Sequence, residues 1–129
     1  MKNRGYLIVA IVAAFPFCLC RPAEVFAQDD YYVKKAAEYT REAEYYQKKA
    51  QGYYREAEYY LKKAESYERE AAYYTKKGDT YNANTQSRYA RGARDNYQTQ
   101  MRYAKNAEET AADYLKRARD VLRIIRTQN

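Results

Sequence analysis

The chain has 129 residues, 18 of them tyrosine, and carries 24 Lys and Arg against 17 Asp and Glu for a net charge of +7, with no histidine and no tryptophan. Its cysteines, Cys18 and Cys20, and its prolines, Pro16 and Pro22, all fall near the N-terminus, and Ser66 and Ser87 are its only serines. Beyond Pro22, nucleophile-and-base pairs built on His or Cys are therefore excluded, as are the imidazole and thiolate ligands usual for zinc, copper or nickel.

The first element is an export signal. Lys2 and Arg4 precede an apolar run from Tyr6 to Cys20, and Val25-Phe26-Ala27 has the pattern that leads a cleavage site. We read residues 1–27 as a secretory signal peptide cut before Gln28, since the run is shorter than the ~20 residues of a spanning helix. Bulky Phe17 and Leu19 before the two cysteines argue against lipid attachment. The remaining chain, residues 28–129, is then an exported protein of the periplasmic or extracellular space. It is long enough for one small domain and makes no use of disulfides.

From Tyr31 to Gln86 one fourteen-residue phrase is said four times: YYVKKAAEYTREAE, YYQKKAQGYYREAE, YYLKKAESYEREAA, YYTKKGDTYNANTQ. Its apolar residues alternate at steps of four and three, the heptad seam of a coiled coil. One seam row is Tyr32, Tyr39, Tyr46, Tyr53, Tyr60, Tyr67, Tyr74 and Tyr81; the other is Ala36, Ala43, Ala50, Ala57, Ala64 and Ala71, then Gly78. A parallel homodimer would stack tyrosine on tyrosine and alanine on alanine. An antiparallel partner sets one of each in every layer at near-constant volume, as close packing requires. Glu44 with Lys48, Glu58 with Lys62, and Glu65 with Arg69 stand four apart with the acid first, the better order for supporting a helix.

A break is predicted at Lys76-Lys77-Gly78-Asp79-Thr80. Lysines suit a helix C-terminus, glycine the left-handed residue beyond it, and Asp or Thr the next N-cap. Only the fourth copy carries Gly-Asp. A second seam then reads Ala83, Gln86, Ala90, Ala93, Tyr97, Gln100, Ala104, Ala107, Ala111, Tyr114, Ala118, Val121 and Ile125. Folding the chain at Gly78-Asp79 sets Tyr67 against Ala90, Tyr53 against Ala104 and Tyr39 against Ala118. Where the second seam turns large, Tyr114 meets Ala43 and Val121 meets Ala36. Two layers fit less well, Tyr60 with Tyr97 and Ala57 with Gln100, where widening or a polar layer is expected. The expected fold is all-α: a long antiparallel Ala/Tyr hairpin, with helices over residues 30–77 and 80–126 and a turn at 78–79, pairing into a helical bundle.

Off the seam, Tyr31, Tyr45, Tyr59 and Tyr73 form a row on the first helix, and Tyr89 and Tyr103 flank the second. Exposed apolar patches of this kind mark association surfaces, so these six residues are the candidate surface for a homo-oligomer. At the C-terminal end Lys116, Arg117, Arg119, Arg123 and Arg126 accompany Leu115, Ala118, Val121, Leu122 and Ile125. Such a basic amphipathic helix suits an anionic membrane surface or an acidic envelope polymer; export disfavours nucleic acid. Glu42/Glu44 and its equivalents are two apart and face different ways, which leaves no carboxylate pair for acid–base catalysis. Glu38/Glu42 and Glu65/Glu68 are spaced for a loose site for a hard cation.

The repeats such as KKAAEY and the turn KKGDT resemble the small periplasmic metal-binding proteins built of helical heptads studded with histidine. That resemblance implies helical hairpins and export; where those proteins carry histidine as metal ligand, this chain carries tyrosine. The sequence reading is thus an exported, non-enzymatic coiled-coil protein without a cofactor, acting by self-association or by binding an anionic envelope component. Its alternative is a small metal- or ligand-binding periplasmic protein.

Overall fold

Gly78 reverses the chain. Its φ of +77° is the only positive value among the described residues, and a glycine reaches that left-handed region without the steric cost of a Cβ. Around it the Asp79 N–H donates to the Tyr74 carbonyl at 3.0 Å and the Gly78 N–H to the Thr75 carbonyl at 3.1 Å. This is the crossed pair of a Schellman ending, which satisfies carbonyls that a helix end leaves open. Asp79 then starts the next helix. Its Oδ1 accepts from the Asn82 backbone N–H at 3.1 Å and its Oδ2 from the Asn82 side-chain amide at 2.6 Å, and these bonds hold its carboxyl below the ordinary value.

The computed structural model describes residues 23–128. Helix α1 runs Ala23–Lys76 and helix α2 runs Thr80–Thr127, so at 1.5 Å per residue they extend ~80 and ~70 Å. No strand occurs among the described residues. Residues 1–22, and with them most of the expected signal peptide, lie outside that range. α1 is already helical at Ala23, upstream of the expected start near residue 30. Nothing between Ala23 and Gln51 is proline or glycine, so no residue there interrupts the helix. Threonines on both helices return their hydroxyl to the carbonyl one turn back, as Thr40 does to Ala36 and Thr75 to Ala71.

The two helices pack along their whole seam, and the buried core is entirely alanine: Ala36, Ala43, Ala50, Ala57 and Ala64 on α1, and Ala83, Ala90, Ala93, Ala104, Ala107, Ala111 and Ala118 on α2. Residues this small let helix backbones approach toward the near end of the usual ~8–10 Å spacing. The seam tyrosines of α1, Tyr32 to Tyr74, are half-buried, whereas Tyr81, just past the turn, is exposed. Register is visible in the rings. Tyr114 of α2 lies between Tyr39 and Tyr46 of α1, with centroids at 6.2 and 5.7 Å, which sets it across from Ala43. Tyr53 meets Tyr103 and Tyr67 meets Tyr89, each at 5.5 Å. In the two mismatched layers Ala57 is buried while Tyr60, Tyr97 and Gln100 are half-buried. A buried acceptor nearer the turn, Gln86 Oε1, has no hydrogen-bond partner among the described residues.

Candidate association face

The hairpin has two long faces beside its seam, and they differ in chemistry. Glu68 and Arg94 define one. Arg94 donates through Nε and Nη2 to the two carboxylate oxygens of Glu68 at 2.5 and 2.9 Å. This fork joins α1 to α2, and it holds the Glu68 carboxyl below its usual value and Arg94 above its own. The shallow groove beside it is lined by Ala71, Ser87, Ala90, Arg91 and Asp95.

The other face is made of tyrosine. Tyr31, Tyr45, Tyr59 and Tyr73 are each more than half exposed. Each turns its ring edge-on to the seam tyrosine that follows it: Tyr31 to Tyr32 at 5.4 Å, Tyr45 to Tyr46 at 5.3 Å, Tyr59 to Tyr60 at 5.3 Å and Tyr73 to Tyr74 at 5.4 Å. T-shaped contacts of this kind set the positive edge of one ring against the negative face of another. From α2, Tyr89 and Tyr103 reach the same face, where Tyr103 closes a groove with Tyr46, Lys49, Tyr53, Asn106 and Thr110. All six tyrosines singled out in the sequence are therefore brought to one side of the hairpin.

Lysines complete the pattern, in a position over the rings that sequence reasoning had not given them. Lys49 sits 5.9 Å from the ring centres of both Tyr45 and Tyr46, Lys63 5.3 Å from Tyr59, and Lys77 4.6 Å from Tyr73, while Lys35 lies 5.4 Å from Tyr39. A cation over a ring is attracted by the ring quadrupole. The ammonium of Lys63 is raised above its usual value, first by a hydrogen bond with Tyr59. The signal was present in the sequence, since each of these lysines stands four residues after an exposed tyrosine, on the same helical face. Of the acid-first pairs expected, Glu58 and Lys62 meet at 3.1 Å.

The basic residues of the C-terminal end are all exposed. Arg117 lies over the Tyr114 ring at 5.4 Å, and Arg123 is 3.9 Å from Asp120. Ala118 is buried and Val121 and Ile125 are half-buried, because the apolar side of this segment is spent on α1. Leu115 and Ile124, each 37% exposed, are what remains of it at the surface. Lys116, Arg119, Arg123 and Arg126 are exposed and lie off the seam.

Among the described residues no three acidic, His or Cys side chains converge on a common point. Of the carboxylates spaced for a loose cation site, Glu38 is bound to Lys35 at 3.0 Å and Glu68 to Arg94. Among those residues, too, no helix is long and apolar enough to cross a membrane. The fold and surface define a class, an antiparallel two-helix hairpin with an alanine seam and a tyrosine-lysine face. Compared with family models, curated proteins and solved structures, the chain matches none.

Proposed function

We propose that this is an exported, non-enzymatic protein that works by association, and that the tyrosine-lysine face carries it. The observation behind the reading is the row of four tyrosines on α1, each more than half exposed and repeating every fourteen residues along a helix of 54. Tyrosine offers apolar area with a polar tip and is enriched at the centres of protein interfaces. A two-helix rod leaves that area in water, and pairing rods into a four-helix bundle removes it. The apolar run before Gln28 supports export, and the lack of His and Cys beyond Cys20 supports a role without nucleophilic chemistry.

Sedimentation equilibrium of the purified protein tests the reading. The expected result is a dimer or larger assembly at micromolar concentration, weakened when Tyr45, Tyr59 and Tyr73 are changed to Ser. A wild-type protein that stays monomeric at high micromolar concentration would end it.

A further inference from the structure

The tyrosine face carries two features that say how a second copy would sit on it. The first is Gly52, in the interior of α1, where glycine is disfavoured. Its φ is not positive, and a Cβ built there would meet nothing within 4 Å. Neither backbone conformation nor packing within one chain asks for glycine. Gly52 occupies the midpoint of the exposed row, between Tyr45 and Tyr59 and equally far from Tyr31 and Tyr73.

The second is the charge of the adjacent row, between the exposed tyrosines and the seam. It reads Lys35, Glu42, Lys49, Glu56, Lys63, Glu70, Lys77, changing sign at every step of seven residues. A row that alternates in this way sets like on like in a two-fold parallel pair, and opposite on opposite in an antiparallel pair whose axis falls between two successive members, as between Lys49 and Glu56. The equivalent row of α2 runs Asn82, Tyr89, Asn96, Tyr103, Thr110, Arg117, Ile124 and holds a single charge, so it cannot answer the alternation. The matching surface for α1 is α1 itself.

We infer that two copies pair face to face, with α1 antiparallel to α1 of the second copy about a two-fold axis beside Gly52. About that axis Lys35, Lys49 and Lys63 come opposite Glu70, Glu56 and Glu42 of the second copy, and the two-fold repeats each pair. The same operation sets Tyr45 against Tyr60 and Tyr46 against Tyr59. The missing side chain at Gly52 leaves room at the axis, where the two backbones come closest. A self-complementary patch of this kind is what a closed two-fold dimer requires, and its charge pattern fixes register more than strength.

This rests on the self-association proposed above, and the experiment separates the two. One variant carries Lys35→Glu, Lys49→Glu and Lys63→Glu; another carries Glu42→Lys, Glu56→Lys and Glu70→Lys. Each alone should dimerise at least about tenfold more weakly than wild type, because every pair becomes like-charged, and an equimolar mixture should recover a heterodimer. Orientation is read with Lys49→Cys and Glu56→Cys made separately in a Cys18→Ser, Cys20→Ser background. Mixed and oxidised, they should form the 49-to-56 disulfide between chains in preference to either homodisulfide. Charge-reversed variants that self-associate as wild type does, or a preference for 49-to-49 disulfides, would overturn the pairing while leaving self-association standing. A monomeric wild type would sink both.

Discussion

Gly78 and Asp79 are where a single side chain has most leverage on this fold. Gly78→Ala puts a Cβ on a residue at φ +77°, a strain of about 1–2 kcal/mol. Asp79→Ala removes the N-cap bond to Asn82, and losing such a cap costs about 0.5–2 kcal/mol. Both should lower the thermal midpoint without abolishing helicity, measured by circular dichroism. Asp79 and Glu68 also give the stability a sign with pH. Both carboxyls lie below their ordinary values in the folded chain, Asp79 through Asn82 and Glu68 through Arg94. Their contribution is thus complete above the unfolded carboxylate value near ~4 and is lost as pH falls through the lower folded one. Thermal midpoints measured from pH 6 down to pH 2 should fall, and the fall should be shallower in the Asp79→Asn, Glu68→Gln variant. An equal fall in both would assign acid sensitivity to other groups.

On the scale of the helices, seam and face should respond differently to substitution. Ala64 is fully buried in the seam, so Ala64→Leu overpacks it, at a typical cost of about 1–3 kcal/mol. Tyr59 is more than half exposed and stands beside the seam. Tyr59→Ser should leave the helicity of the hairpin nearly intact and act on association. Thermal melts at a concentration low enough to hold the protein monomeric separate the two, and equal losses there would contradict the placement of Tyr59 outside the seam.

For the whole molecule, charge is unevenly placed. Residues 28–86 balance, whereas residues 87–129 hold ten basic against five acidic side chains, and Lys116, Arg119, Arg123 and Arg126 face outward at the open end of the hairpin. We propose that this end attracts anionic membrane surfaces or acidic envelope polymers. Each cation near such a surface contributes about 1 kcal/mol, screened within a Debye length. Binding to vesicles containing anionic lipid should fall steeply with salt. Changing Arg119, Arg123 and Arg126 to Gln should reduce it more than tenfold with little movement of the thermal midpoint, because these residues lie off the seam. Wild-type protein that ignores anionic vesicles at low salt would leave this end as a solubilising helix terminus.

The hairpin could be read in the sequence because its information is local or periodic. A lone Gly-Asp in the fourth copy marks the turn by backbone stereochemistry, and the alternation of Tyr with Ala marks the seam by volume, down to Tyr114 lying across from Ala43. Pairing between charged side chains off the seam was not legible in that way. The fork between Arg94 and Glu68 joins positions 26 apart, and neither a helical period nor a charge count selects it over other exposed pairs. The six tyrosines could be named from the sequence, but their arrival on one face depends on the rotation of each helix about its axis, which the packing of alanine against tyrosine sets. By itself the sequence determined two helices, their turn and their seam, because each rests on backbone preference or side-chain volume repeated along the chain. Only the tertiary structure decided that Glu68 takes Arg94 and that Tyr103 closes a groove with Lys49, because contacts between side chains off the seam depend on where the chain's other half lies.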